Sequence, residues 1–437
     1  MNIIIAGAGK VGFDLAKTLC IGHNVAIIDK NKDALDKLNE SLDILPIHGD
    51  LEDINTYQSF VGKKISLLIV VTNIDNVNLV ATLMADTFLD IDKIFVRLQN
   101  HSFTNTEIQK RLKIDTIIFP TKVASLSIAA LLNYPKAMNM KFFKYTDYRL
   151  ASVVVSENSQ DIKIEENRYN IVGIERKKRF FIPKANDEIK AKDLVYFFAL
   201  DDDIYETCDF FVNEYKAKID KCVVFGGGDL GVSITKALLE INKDVKLVEK
   251  NLDVCEKANE KLGGKATIIN SKYGTIELFE DEALDSADIF ISATTNDEYN
   301  IIKCLEAKDR GIQKVVAINN EIEYYNLMHS LGIVAMRGPK MSAYNTIMEE
   351  INSTGIILEK RFCGAQAMVY MRKMLSTSKY IGKRIKPLKI DDANVFYIRE
   401  NVLHHMIEKL TIEEDDIIMA FCNKDVVEKV KRWIYEL

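Results

Sequence analysis

Ile3-Ile4-Ile5-Ala6-Gly7-Ala8-Gly9-Lys10-Val11-Gly12 runs directly into Phe13-Asp14-Leu15-Ala16-Lys17-Thr18-Leu19. A strand-length apolar run, glycines spaced 7, 9 and 12, and an amphipathic helical pattern follow one another without a break. In a strand–turn–helix unit each glycine has a separate task. The first permits the tight turn, the second lets a pyrophosphate approach the backbone, and the third lets helix and strand pack closely. The free N–H groups at the helix start carry roughly +0.5 of a charge and face an anion. Asp29 lies 17 residues after Gly12. A carboxylate at that distance can accept hydrogen bonds from ribose hydroxyls, and an acid there favours NAD over NADP. The competing reading is a glycine turn kept only for packing.

The pattern occurs twice. Val223-Val224-Phe225-Gly226-Gly227-Gly228-Asp229-Leu230-Gly231 repeats the first stretch at an offset of 219. Asp29 is answered by Glu249, Thr72-Asn73 with Asn78 by Thr294-Thr295 with Asn300, and Pro120 by Pro339. Ordered agreement at these points indicates a tandem duplication. In the first half, the apolar runs Ile3–Ala6, Val25–Ile28, Ile44–Ile47, Leu67–Val71, Ile94–Val96 and Ile117–Phe119 alternate with helix-length segments. That alternation predicts βαβ units and a parallel sheet covered on both faces. Residues 151–155, 171–182 and 194–200 then read as strands of a small α+β lobe, and Asp416–Ala420 answers Asp193–Phe197 near the end of the chain. The expected fold is α/β: two tandem Rossmann-like, doubly wound parallel-sheet domains, each followed by a small α+β C-terminal lobe. The boundaries read as 1–140, 141–218, 219–358 and 359–437.

Two further residues sharpen the first site. Asp50, in His48-Gly49-Asp50, can contact the adenine or its ribose, or else cap a helix. Arg97 ends the fifth strand at the carboxyl edge of the sheet, where doubly wound folds bind ligands. It can contact phosphate, directly or from a neighbouring subunit, or form a surface salt bridge. The second site departs from this set: Lys10 becomes Asp229, Asp50 becomes Lys272 and Arg97 becomes Ile318. A negative charge beside a helix N-terminus should weaken polyphosphate binding by about 1 kcal/mol.

Composition excludes several classes. With 48% hydrophobic residues, 20 Gly and 6 Pro in 437, the chain is a globular protein of several domains. A net charge of −6 lacks the basic footprint of a nucleic-acid binder. No apolar run reaches the ~18–20 residues of a membrane span, and the N-terminal residues lack the basic region of a secretory peptide. Seven cysteines without a CxxC read as buried thiols rather than a disulfide or zinc framework. Six histidines stand at 23, 48, 101, 329, 404 and 405, none in a catalytic setting. Asp201-Asp202-Asp203 lacks EF-hand spacing and reads as a solvated loop. Two nucleotide folds without a reactive group favour a sensor over an enzyme, with no catalytic and no metal residues expected. The alternatives are an NAD-dependent oxidoreductase and a nucleotide-sensing scaffold unrelated to transport.

This order of motifs, with the 114–120 run Ile-Asp-Thr-Ile-Ile-Phe-Pro, resembles the TrkA family of Trk-system potassium uptake regulators over essentially the whole chain. Those chains are built from domains that regulate potassium conductance (RCK domains), each an N-lobe and a C-lobe. The resemblance implies a cytoplasmic regulatory subunit, peripheral on the inner face of the cell membrane. It implies docking on a separate membrane-embedded potassium transporter, lobes of several chains in a ring taken as a tetramer, and NAD(H) as ligand with ATP or ADP as the alternative. Carried over by position, Gly7, Ala8, Gly9, Lys10, Val11, Asp29, Thr72, Asn73 and Arg97 would line the first site. Gly226, Gly227, Gly228, Asp229, Leu230 and Glu249 would line the second, with Gly12 and Gly231 completing the two glycine patterns.

Overall fold

The computed structural model describes residues 1–437 except 101–102, 104–105, 165–168, 213–218, 272–275 and 353–356. The first sheet places its strands in the order Leu45–His48, Asn24–Asp29, Asn2–Ala6, Leu67–Val70, Ile94–Arg97 and Thr116–Ile118, all parallel. This is the doubly wound order, and its switch point lies between Asn2–Ala6 and Leu67–Val70. The central strands are apolar without alternation because helices cover both faces. Ile3, Ile4, Ile5 and Ala6 are all at most 1% exposed. The second sheet repeats the order with Thr267–Asn270, Asp244–Glu249, Lys221–Phe225, Ile289–Ser292, Lys314–Asn319 and Val334–Arg337.

The intervening and final segments form two antiparallel five-stranded sheets. One runs Arg179–Phe181, Ile171–Arg176, Leu194–Ala199, Arg149–Val154, Asn139–Lys141; the other Ile357–Phe362, Ala367–Lys373, Ile417–Asn423, Ala393–Arg399, Val402–His405. Each is followed by a helix, Asp201–Phe211 or Val427–Glu436. Their apolar faces share one core, in which Phe180 meets Phe362 at 5.4 Å and Phe198 meets Phe421 at 5.3 Å between ring centres. The acidic triplet Asp201-Asp202-Asp203 corrects the expectation of a loop: it is the first turn of the helix Asp201–Phe211, where carboxylates oppose the positive helix end.

The duplication reaches the hydrogen bonds of these lobes. Arg176 grips buried Asp193 with Nε at 2.8 Å and Nη2 at 2.6 Å; Arg399 grips buried Asp416 at 2.8 and 2.7 Å. In each clamp the carboxylate also accepts the backbone N–H three residues before it, Lys190 or Glu413. Planar bidentate pairing explains arginine at both positions. Asp416→Ala removes the bidentate partner of Arg399, which keeps Glu413 and the Thr411 carbonyl, and leaves the Glu413 N–H without its acceptor. Because Arg399 is partly solvated, the loss should be about 2 kcal/mol rather than the full cost of a buried orphaned charge, read as a lowered urea midpoint.

By proximity the chain forms two compact units: Met1–Ser125 with Arg337–Met348, and Leu126–Met336 with Glu349–Leu437. The helix Pro120–Leu132 is thus divided after Ser125, and the start of the helix Pro339–Asn352 belongs with the first sheet. In the first unit Tyr344 and Thr18 share a hydroxyl–hydroxyl hydrogen bond of 2.9 Å. In the second, Ile128, Leu131 and Leu132 join one core with Val232 and Val316, and the buried Lys314 ammonium donates to the carbonyls of Tyr134, Pro135 and Ala137.

Candidate functional site

The cleft sits at the carboxyl edge of the first sheet, at its switch point. Gly7 has φ +113°, which an L side chain rarely adopts, and its N–H donates to the Ile28 carbonyl. A Cβ on Gly12 would lie 1.9 Å from the Gly7 carbonyl oxygen, so only glycine lets the helix Lys10–Leu19 pass the turn this closely. Gly9 caps that helix without a side-chain acceptor. Donors of its first turn therefore have no capping oxygen of their own and suit an anion.

Asp29 does more than its position suggested. Its Oδ2 accepts the Ala8 N–H at 2.6 Å and its Oδ1 the Asn31 N–H at 2.8 Å. The carboxylate braces the glycine loop and still lines the cleft. Asp50 accepts the Glu52 N–H at 3.0 Å, and the cap of the following helical turn is Asp53. Asn78 is fully buried: its Oδ1 takes the Thr72 N–H and hydroxyl, and its Nδ2 donates to the Thr72 and Arg97 carbonyls. It ties together the ends of two neighbouring strands. Arg97 is 7% exposed, donates from Nη1 to Asn73 Oδ1 at 2.8 Å, and leaves Nε without a partner. Burial lowers its pKa from the usual guanidinium value, and Asp75 opposes that shift. A buried cation with an unsatisfied donor at a cleft is suited to an anionic ligand.

Gly7, Gly9, Lys10, Val11, Asp29, Asp50, Thr72, Asn73 and Arg97 together line a cleft of about 360 Å³. That size is within the range of small-ligand sites. Ala8 and Gly12 do not line it: the Ala8 N–H turns to Asp29 and Gly12 serves packing. Sequence reading missed several contributors, among them Lys30, Glu52 and the apolar Leu51, Val71, Ile74 and Val77 of the lining, and two charged residues with a defined role. Asp75 accepts the N–H groups of Gln99 and Asn100 at 2.8 Å each, fixing the loop after Arg97; its placement two residues after Asn73 was the available signal. Lys340 lines the cleft from 219 residues beyond its counterpart Thr121, and no local signal marks it.

The second loop has the same backbone and different charges. Gly226 has φ +110°, and a Cβ on Gly231 would lie 1.8 Å from the Gly226 carbonyl oxygen. Glu249 accepts the Gly227 N–H at 2.7 Å and the Asn251 N–H at 2.9 Å. Gly227 is pressed against this acid, since a Cβ there would meet Glu249 Cβ at 2.8 Å; Ala8 fits the shorter Asp29. Gly228 caps the helix Asp229–Glu240, on which Leu230 is half-buried. Asp229 pairs with Lys261 at 2.7 Å, so part of its charge is already balanced. Ile318 is fully buried where the first half has Arg97; Asn300 donates to its carbonyl as Asn78 does to that of Arg97. Lys272 and His101 lie outside the described residues.

Among the described residues no group of three or more His, Cys, Asp or Glu side chains could hold a metal ion, and no helix is long and apolar enough to cross a membrane. All seven cysteines are free thiols, six of them buried; burial pushes Cys208, Cys222, Cys304 and Cys422 up to about 12.

The TrkA-N domain model matches residues 3–120 and 222–337, and the TrkA-C domain model matches 150–212. The chain is 25% identical to the Trk system potassium uptake protein TrkA homolog of Archaeoglobus fulgidus, over 99% of each chain. It is 26% identical to the Trk system potassium uptake protein TrkA of Vibrio alginolyticus, over 99% of this chain and 98% of the relative. The solved GsuK channel bound to NAD matches with a TM-score of 0.61 at 13% identity, covering 100% of this chain and 79% of that one, a likeness of fold.

Proposed function

This chain belongs to the TrkA family, and from that premise we propose that it is a nucleotide-sensing regulatory subunit of a Trk-type potassium uptake system, not an enzyme. The observation that carries the reading is the first cleft: a glycine turn with uncapped helix donors, an Asp29 that braces the turn and lines the space, and the buried, partly unsatisfied Arg97 converge on one space. NAD(H) is the proposed ligand and ATP or ADP the competitor. Four lobes, 1–140, 141–218, 219–358 and 359–437, are proposed as the working units. The protein acts in the cytoplasm, on the inner face of the membrane, docked on a membrane-embedded transporter subunit as a ring of copies, taken as a tetramer. The second loop keeps the turn and Glu249 but not the cations, which supports weaker or different ligand use there.

A regulator moves a pore equilibrium only by binding its two states with different affinity. Nucleotide held between the glycine turn and Arg97 would supply a coupling of roughly 1–3 kcal/mol. Lys10→Ala together with Asp29→Ala should weaken NADH and ATP binding in calorimetry at least tenfold and remove the nucleotide response of potassium flux in vesicles carrying the transporter. Unchanged binding in that double variant would take the first cleft out of the account.

A further inference from the structure

Lys340 is the second residue of the helix Pro339–Asn352, far along the chain from the first glycine turn, yet it lines the same cleft as Gly9, Lys10 and Arg97. Its placement is fixed rather than incidental. One turn further on, Tyr344 is hydrogen-bonded to Thr18 on the helix that the glycine turn starts. The segment Arg337–Met348 belongs to the first compact unit. Lys340 is exposed and has no hydrogen-bond or ion-pair partner among the described residues, so its ammonium is available at the rim. Deeper in, Arg97 presents a buried Nε with no acceptor. The other side chains facing this space include Asp29, Asp50 and Glu52, and Lys10 is shared with Asp14 at 3.7 Å. An anionic ligand here therefore draws on a deep cation from the first half and an exposed one at the rim from the second.

We propose that Lys340 is a phosphate-binding residue of the first nucleotide site, contributed by the second half of the chain, and that it biases the cleft toward ligands of higher phosphate charge. The inference rests on the reading of this cleft as a nucleotide site. A lysine is a point charge on a flexible stem, without the planar fork that fixes one geometry. Its contribution is thus electrostatic: largest for a triphosphate, smaller for the pyrophosphate of a dinucleotide, and screened by salt. The duplication itself did not supply this residue, since the counterpart of Lys340 is Thr121.

The test is calorimetry on the full chain with ATP and NADH at low and high salt, using K340Q and K340R. The expected result is that K340Q raises the ATP Kd about tenfold at 50 mM salt and the NADH Kd threefold or less. The difference from the parent shrinks at 0.5 M salt, and K340R keeps near-parental ATP affinity. Because the side chain is exposed, the unliganded K340Q protein should melt with the parent. An unchanged ATP Kd in K340Q, with the parent binding ATP, overturns the role of Lys340 and leaves the nucleotide site standing. Equal, salt-independent losses for both ligands overturn it too, by pointing to a packing role. A parent protein that binds neither ligand overturns this inference and the nucleotide-site reading together.

Discussion

Gly12→Ala should abolish nucleotide binding at the first cleft and destabilise the unit that carries it by on the order of 3 kcal/mol. The added carbon would stand 1.9 Å from the Gly7 carbonyl oxygen, an obstacle made of backbone and not of a movable side chain. Relief requires the helix Lys10–Leu19 to back away from the turn. That movement takes its first N–H groups out of phosphate reach and pulls Ala8 from the Asp29 carboxylate. Calorimetry with NADH should show no heat, and thermal unfolding should shift by about 6–12 °C for a unit of this size. Gly231→Ala places its Cβ 1.8 Å from the Gly226 carbonyl oxygen and should destabilise the second sheet similarly. If it leaves NADH affinity unchanged, the first cleft is the dinucleotide site. Full binding in Gly12→Ala would refute the turn as the site.

Lys314→Met is expected to lower the stability of the second unit by about 2–5 kcal/mol. Lys314 is 6% exposed, and its ammonium meets three carbonyls of the segment after the helix Pro120–Leu132, at 2.9 to 3.4 Å. Methionine matches the stem and packs without strain, so the cost isolates the polar contacts. The Tyr134 carbonyl keeps the Ala137 N–H, but those of Pro135 and Ala137 lose this donor, and a buried carbonyl left without one costs roughly 1–3 kcal/mol. Lysine at this place also carries positive charge to the negative end of that helix. The readout is the urea midpoint, together with hydrogen exchange at Leu131 and Leu132, which should lose protection first. A midpoint within experimental error of the parent would mean that water replaces the ammonium there.

Much of the fold was legible because its signals are local or repeat. The apolar runs without alternation marked parallel strands, and the two glycine patterns marked two turns. The correspondence of Asp193 and Asp416 marked the second pair of lobes, and in each lobe the aspartate is the one gripped by an arginine. The acidic triplet at 201–203 was misread because three carboxylates resemble a solvated loop, whereas a helix start stabilises them just as well. Asp75 went unnoticed because its partners, the N–H groups of Gln99 and Asn100, carry no side-chain signature.

Residue type and spacing alone settled the doubled architecture, the placement of both turns at strand ends, and the asymmetry between Lys10 and Asp229. Period and glycine geometry act over a few residues, so they can be read along the chain. Folding in three dimensions decided what lies beside what beyond local spacing: Lys340 in the first cleft, Lys314 beneath the end of the helix Pro120–Leu132, and Lys261 balancing Asp229. Each of these is a lysine whose role comes entirely from the surface it is packed against, and an isolated lysine codon carries no record of that surface.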